Sequence, residues 1–309
     1  KDRVMMKSML SVAAALLVLA ACTNDHEPDY APAKEIRVNA SIGQMTRVTT
    51  DGNESAFETG DRISVYAWLG TADDAQQLVV DNSVNTLGDD GTWTASPQML
   101  WANSSSAHYF LGIYPVQEVS DLKAMNYVLT PEDQEASDLL YAMNAGTENK
   151  GITPTNTPVA LTFSHLMSKL VINLNFRSQW SGTPVVESVR AIAKAEASIN
   201  LLSGEITPQG DNKAIDIPAL ETPAANYACS YAGIMIPNSN LIEIQIKVKD
   251  IDEPYVYNVG VSIPLETGKY TTVNLTLGRD EITLDNDITI TDWAPLEGDY
   301  GGNIFFPGA

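Results

Sequence analysis

The chain of 309 residues carries 18 Lys and Arg against 39 Asp and Glu, a net charge of −21. So acidic a surface repels phosphate backbones and anionic headgroups, which excludes nucleic acid as a partner and polybasic docking on a membrane. Two cysteines, Cys22 and Cys229, and three histidines are too few for a disulfide framework or a structural zinc cluster, so stability must come from packed apolar cores.

A basic start is followed by the apolar run from Leu10 to Ala21 and then by Cys22. The run is too short to span a bilayer, and Leu19-Ala20-Ala21-Cys22 places small residues where a peptidase must admit extended backbone. This pattern predicts a bacterial lipoprotein signal over 1–21. The chain is cut between Ala21 and Cys22, and the Cys22 thiol is acylated, as by palmitate. Cleavage there removes Lys1, Asp2, Arg3 and Lys7 and takes the net charge to −23. The lipid is then the expected membrane attachment, at the outer membrane or cell surface. Residues 22–33 are polar and include Pro28 and Pro32, as expected of a tether.

Beyond the tether, period-two alternation dominates. Ile36, Val38, Ala40 and Ile42 fall on one face of a first strand, with Glu35, Arg37, Asn39 and Ser41 on the other. Further strands are predicted at 61–69, 107–114, 169–176, 185–193, 198–202, 241–249, 255–263, 270–277 and 287–291. Turn clusters such as Gly88-Asp-Asp-Gly91 and Pro237-Asn-Ser-Asn240 lie between them. Helical turns are expected only at 72–79 and 131–139. Many short antiparallel strands predict an all-β protein of two tandem Greek-key β-sandwiches, 34–158 and 159–309, divided in the Gly-, Thr-, Asn- and Pro-rich stretch 146–158.

No constellation points to catalysis or to a cofactor. The histidines His26, His108 and His165 show no metal-binding spacing, and Ser164 and His165 as strand neighbours face opposite ways. Cys229 has no basic neighbour to activate it and reads as a buried thiol. Asp73-Asp74, Asp89-Asp90 and Asp285-Asn-Asp287 read as solvated turns, with a calcium loop as the alternative. Trp68, Trp93, Trp101, Tyr109 and Tyr114 read as core, with a sugar-stacking platform as the alternative. His165 and Lys169 are expected in register on one strand face, as packing residues.

Several short segments together resemble the fimbrillin-like proteins, the type V pilin group of the Bacteroidota. They are the lipobox, Met45-Thr-Arg-Val48, Phe57–Tyr66, Asp138–Ala142 and Phe163–Ile172. The series continues with Ile234-Met-Ile-Pro237, Gly268–Leu275 and Ile290-Thr-Asp-Trp293. The resemblance extends over nearly the whole chain and implies transthyretin-like sandwiches, with Trp293 plugging the end of the C-terminal one. It also implies an assembly function. Such pilins are exported as lipoproteins, and a protease cuts after Arg or Lys near the first strand. The vacated groove then takes a strand from the next subunit. Here the cut falls at Arg47 or Arg37, the removable strand carries Ile36, Val38, Ala40 and Ile42, and Ile304, Phe305 and Phe306 are the donor candidates. The implied partners are other fimbrial subunits. A non-polymerising surface lipoprotein that binds a glycan or a host ligand is the alternative reading.

Overall fold

The computed structural model describes residues 34–43, 56–286 and 288–293, with the side chains of 260–262 left aside. In chain order the strands are β1 Val38–Ile42, β2 Arg62–Thr71, β3 Asp74–Leu87, β4 Trp93–Ser96, β5 Tyr109–Tyr114, β6 Met125–Val128, β7 Leu140–Asn144, β8 Val159–His165 and β9 Ser168–Phe176. They continue as β10 Val186–Asn200, β11 Glu205–Asp216, β12 Cys229–Met235, β13 Asn240–Val248, β14 Tyr255–Pro264, β15 Lys269–Leu277, β16 Ile282–Leu284 and β17 Thr289–Asp292. One helical turn, α1 Gln134–Ser137, is capped by the Asp133 carboxylate, which accepts from Ala136 N–H.

The strands form three sheets. A seven-stranded sheet runs β1-β8-β7-β5-β2-β3-β4. A five-stranded sheet runs β11-β10-β13-β14, with β6 also on β10, and another runs β12-β9-β15-β16, with β17 also on β15. The all-β expectation holds. Most pairs are antiparallel, but β1 runs parallel to β8 and β15 parallel to β9. Parallel neighbours need a long crossover, so local turn signals do not announce them.

The central strands of the seven-stranded sheet, β2 and β5, are buried on both faces. Along β2, Ile63, Val65 and Ala67 enter one core with Phe110, Leu161 and Phe163, while Tyr66 and Trp68 enter a second core. That second core is shared with the inner faces of both five-stranded sheets, through residues such as Ile172, Leu174, Ile244 and Ile246. A strand covered on both sides reads as a continuous apolar run rather than an alternating one.

Some expectations need correction. Residues 72–79 are not helical: 74–79 open β3, where hydrogen bonding to β2 (Trp68 opposite Leu78) fixes an extended backbone that local propensity leaves open. The segments 185–193 and 198–202 are not two strands, because β10 runs unbroken from Val186 to Asn200 with a register shift against β11 between Lys194 and Glu196. Sheet membership does not change at residue 158. β8 belongs to the seven-stranded sheet, while β6 crosses the other way to pair with β10. His165 and Lys169 lie on different strands, β8 and β9, because the chain turns at Leu166-Met167 between them. The aromatic residues, by contrast, are core as expected: Trp68, Trp93, Trp101 and Tyr109 are buried, and Tyr114 packs partly buried against the same core as Trp93.

The first strand as the candidate functional site

β1 lies at the end of the seven-stranded sheet, paired with β8 in register from Val38 opposite Val159 to Ile42 opposite Phe163. Two further bonds extend the pairing, Val159 N–H to Arg37 O and Gly43 N–H to Phe163 O, both 2.7 Å. Just before β1 the backbone turns its hydrogen bonds the other way. Ile36 N–H donates to Met99 O at 2.9 Å, and Trp101 N–H donates to Lys34 O at 3.0 Å. Residues 34–43 therefore stitch β8, near one edge of the sheet, to the segment that follows β4 at the opposite edge.

Ile36 and Val38 are 1% and 4% exposed, and Ala40 and Ile42 pack half-buried against the same core. Each fully buried side chain of this size contributes about 1.5–3 kcal/mol. Removing the strand would bare an apolar slot and the unpaired edge of β8, which is the geometry that accepts an added strand. The slot is already shaped by its walls. Gly112 on β5 makes room for Phe163 and Leu161 of β8, since a Cβ there would lie 2.6 Å from Phe163 Cζ.

Phe57 closes one end of this core and was not singled out as a site residue from the sequence. Its ring meets Trp93, Tyr114 and Phe163 edge-on at centroid distances of 5.2–5.4 Å. Directly after it, Asp61 ties the turn into β2 by accepting from Glu58 N–H at 2.7 Å. The signal was present in Phe57-Glu-Thr-Gly-Asp61, but the clustering of a loop aromatic with rings on three strands is not a sequence-local property. Phe57 and this turn fix the chain ahead of β2 against the same core that β1 covers.

Of the two basic candidates for cleavage, Arg37 is engaged. Its carbonyl is in the ladder to Val159, and its guanidinium donates to Asn156 O. A protease requires extended, unpaired backbone, so the 37–38 bond is masked in this conformation. Ala21, Cys22, Arg47, Ile304, Phe305 and Phe306 lie outside the described residues, as do the leader and the tether.

The other candidate groups resolve into structural roles. Asp73 accepts from the Thr71 hydroxyl, and Asp90 accepts from the Thr92 hydroxyl and, as in an Asx turn, from Thr92 N–H. Burial pushes the half-buried Cys229 thiol up, against thiolate formation. Among the described residues no three His, Cys, Asp or Glu side chains converge, and no helix is long and apolar enough to cross a membrane.

A family model described as fimbrillin-like matches residues 46–293, most of the chain. The chain belongs to the fimbrillin-like family. As a member of that family it is a fimbrial protein of the cell surface. Solved structures share the fold. A Bacteroides uniformis protein assigned to cell adhesion aligns with a TM-score of 0.63 at 19% identity, over 84% of this chain and 99% of its own. A Bacteroides ovatus protein, also assigned to cell adhesion, gives 0.61 at 19%, over 86% and 100%. A fimbrial protein of Bacteroides vulgatus gives 0.52 at 13%, over 84% and 99%. No curated protein matches the sequence.

Proposed function

We propose that this fimbrillin-like chain is a pilus subunit assembled by strand exchange, exported as a lipoprotein on Cys22 and matured by a cut after Arg47. The cut frees residues 34–47 together with the lipid. The slot between β8 and residues 99–101 then receives a strand from a neighbouring subunit, with Ile304, Phe305 and Phe306 as the apolar donor candidates. The role is structural rather than enzymatic, in keeping with a family of fimbrial proteins. The placement at the outer membrane and on the fimbrium follows from the same reading.

One observation carries the proposal: residues 34–42 bury two apolar anchors, Ile36 and Val38, and bridge β8, through β1, to residues 99–101, through Lys34 and Ile36. Two others support it. The family match begins at Thr46, next to the candidate cut, and Arg37 is shielded by its pairing with Val159.

The test is N-terminal sequencing and intact mass of material sheared from the cell surface, with electrophoresis in cold detergent. The reading expects a lipid-free chain starting at Val48, in ladders that collapse on boiling. A lipidated Cys22 terminus without ladders would overturn it in favour of a tethered, non-polymerising binder of a glycan or host ligand.

A further inference from the structure

β8 has a division of labour along its length. From Val159 to Phe163 its ladder partner is β1, whereas its ladder to β7 is confined to Ser164 opposite Tyr141 and His165 opposite Leu140. Without β1, the backbone ladder restraint on β8 falls on those last two residues.

His165 is tied to a distant part of the chain. Its Nδ1 lies 2.9 Å from Asp138 Oδ1, and its ring stacks on Trp293 with centroids 3.9 Å apart and planes 8° from parallel. Trp293 directly follows β17. Its N–H donates to Gly268 O, and Gly268 N–H in turn donates to Met167 O, both at 2.9 Å. Gly268 sits at φ +65°, and a Cβ on it would come within 3.2 Å of His165 O, so glycine allows the two segments to approach. On its other sides the indole meets Tyr270 of β15 at 5.1 Å, with the Lys169 ammonium of β9 5.6 Å from its ring. One side chain thus joins the groove strand β8 to the sheet that carries β17.

We propose that His165 and Trp293 form a clasp that couples strand occupancy on β8 to the anchoring of β17. With β1 seated, β8 is held along its whole length and His165 presents a fixed face to the indole. With the slot empty, residues 159–163 lose their ladder and the stack loosens, which releases the point from which residues 294–309 continue. Coupling between two sites is reciprocal, so breaking the clasp must loosen β1 by the same factor. The purpose of the clasp rests on the strand-exchange reading, but its measurement does not.

The test is amide exchange read by mass spectrometry on the full chain. Val38→Ala weakens β1, and Val80→Ala, in the same core but on β3, is the control. The clasp expects Val38→Ala to speed exchange at 289–293 at least about fivefold and Val80→Ala to leave it unchanged. Conversely, Trp293→Ala should speed exchange at 38–43, while Trp293→Phe, which keeps a ring on His165, should not. The inference is overturned if Val38→Ala loosens β1 and β8 but not 289–293, if Val80→Ala has the same effect, or if Trp293→Ala leaves β1 at wild-type protection. Polymers that form without this coupling would sink the clasp alone. Coupling in a chain that never polymerises would sink only the assembly reading.

Discussion

The ring of Phe163 occupies the space that a side chain on Gly112 would need, with Cζ only 2.6 Å from the position of a Cβ there. This contact sets β8 against β5 and gives the β1 slot its depth. Phe163 is fully buried and also packs against Phe57, so the ring can yield only by displacing its neighbours. Gly112→Ala is expected to destabilise the fold by about 1–3 kcal/mol through overpacking. Denaturant midpoints of the two proteins check this, and equal midpoints would show that β8 shifts freely.

Ile36 anchors the segment just ahead of β1, with its N–H on Met99 O and its side chain buried in the core. Ile36→Ala removes a fully buried side chain and should cost about 2–5 kcal/mol, whereas Asn39→Ala, on the exposed face of β1, should cost less than about 0.5 kcal/mol. Thermal unfolding of the two variants separates them. Similar losses would mean that β1 is held by its backbone alone.

His108 makes stability depend on acidity. Ala102 N–H can only donate, so the His108 Nε2 that receives it at 3.1 Å is unprotonated, and Nδ1–H donates to Ser106 O at 3.0 Å. Burial lowers the imidazole below its ordinary value of 6.5, partly offset by the Ser106 bond. The unfolded chain therefore binds more protons between the lowered value and 6.5. Stability from this group is complete above 6.5 and is lost as the pH falls through the lowered value, by at most about 1.4 kcal/mol per pH unit. An NMR titration of the folded protein should place His108 below 6.5. A value at or above 6.5 would refute the neutral, doubly bonded ring.

Lys169 gives the opposite end of the pH scale. Burial pulls its ammonium down to about 8, against a smaller raising effect of the Asp138 charge, while the unfolded side chain titrates near 10.5. Between these values the unfolded chain binds more protons, so the contribution of Lys169 grows as the pH rises from 8. From pH 7.5 to 9.5 the wild-type denaturant midpoint should climb relative to that of Lys169→Met. Parallel profiles would show that the ammonium is solvated.

The sequence showed β1 itself through one repeated choice. Apolar residues at 36, 38, 40 and 42 with polar ones between them can satisfy only an extended chain with one dry face. The same local logic exposed β13 and most of the C-terminal strands. It failed at β3, where Gln76-Gln77 interrupts the apolar pattern, and at β11, whose exposed residues 209–214 carry little apolar signal, and it left β4, β6, β7, β8, β12 and β16 without a predicted strand.

What local pattern cannot encode is which strand lies beside which. Alternation is a property of one backbone, and pairing is a property of two. The alternation of β1 was legible because it depends on neighbours along the chain. The parallel seat of β1 on β8, the burial of β2 on both faces, and the stack of His165 on Trp293 depend on residues far apart in sequence. Those contacts exist only once the sheets have closed on their cores, so the tertiary structure alone decided them.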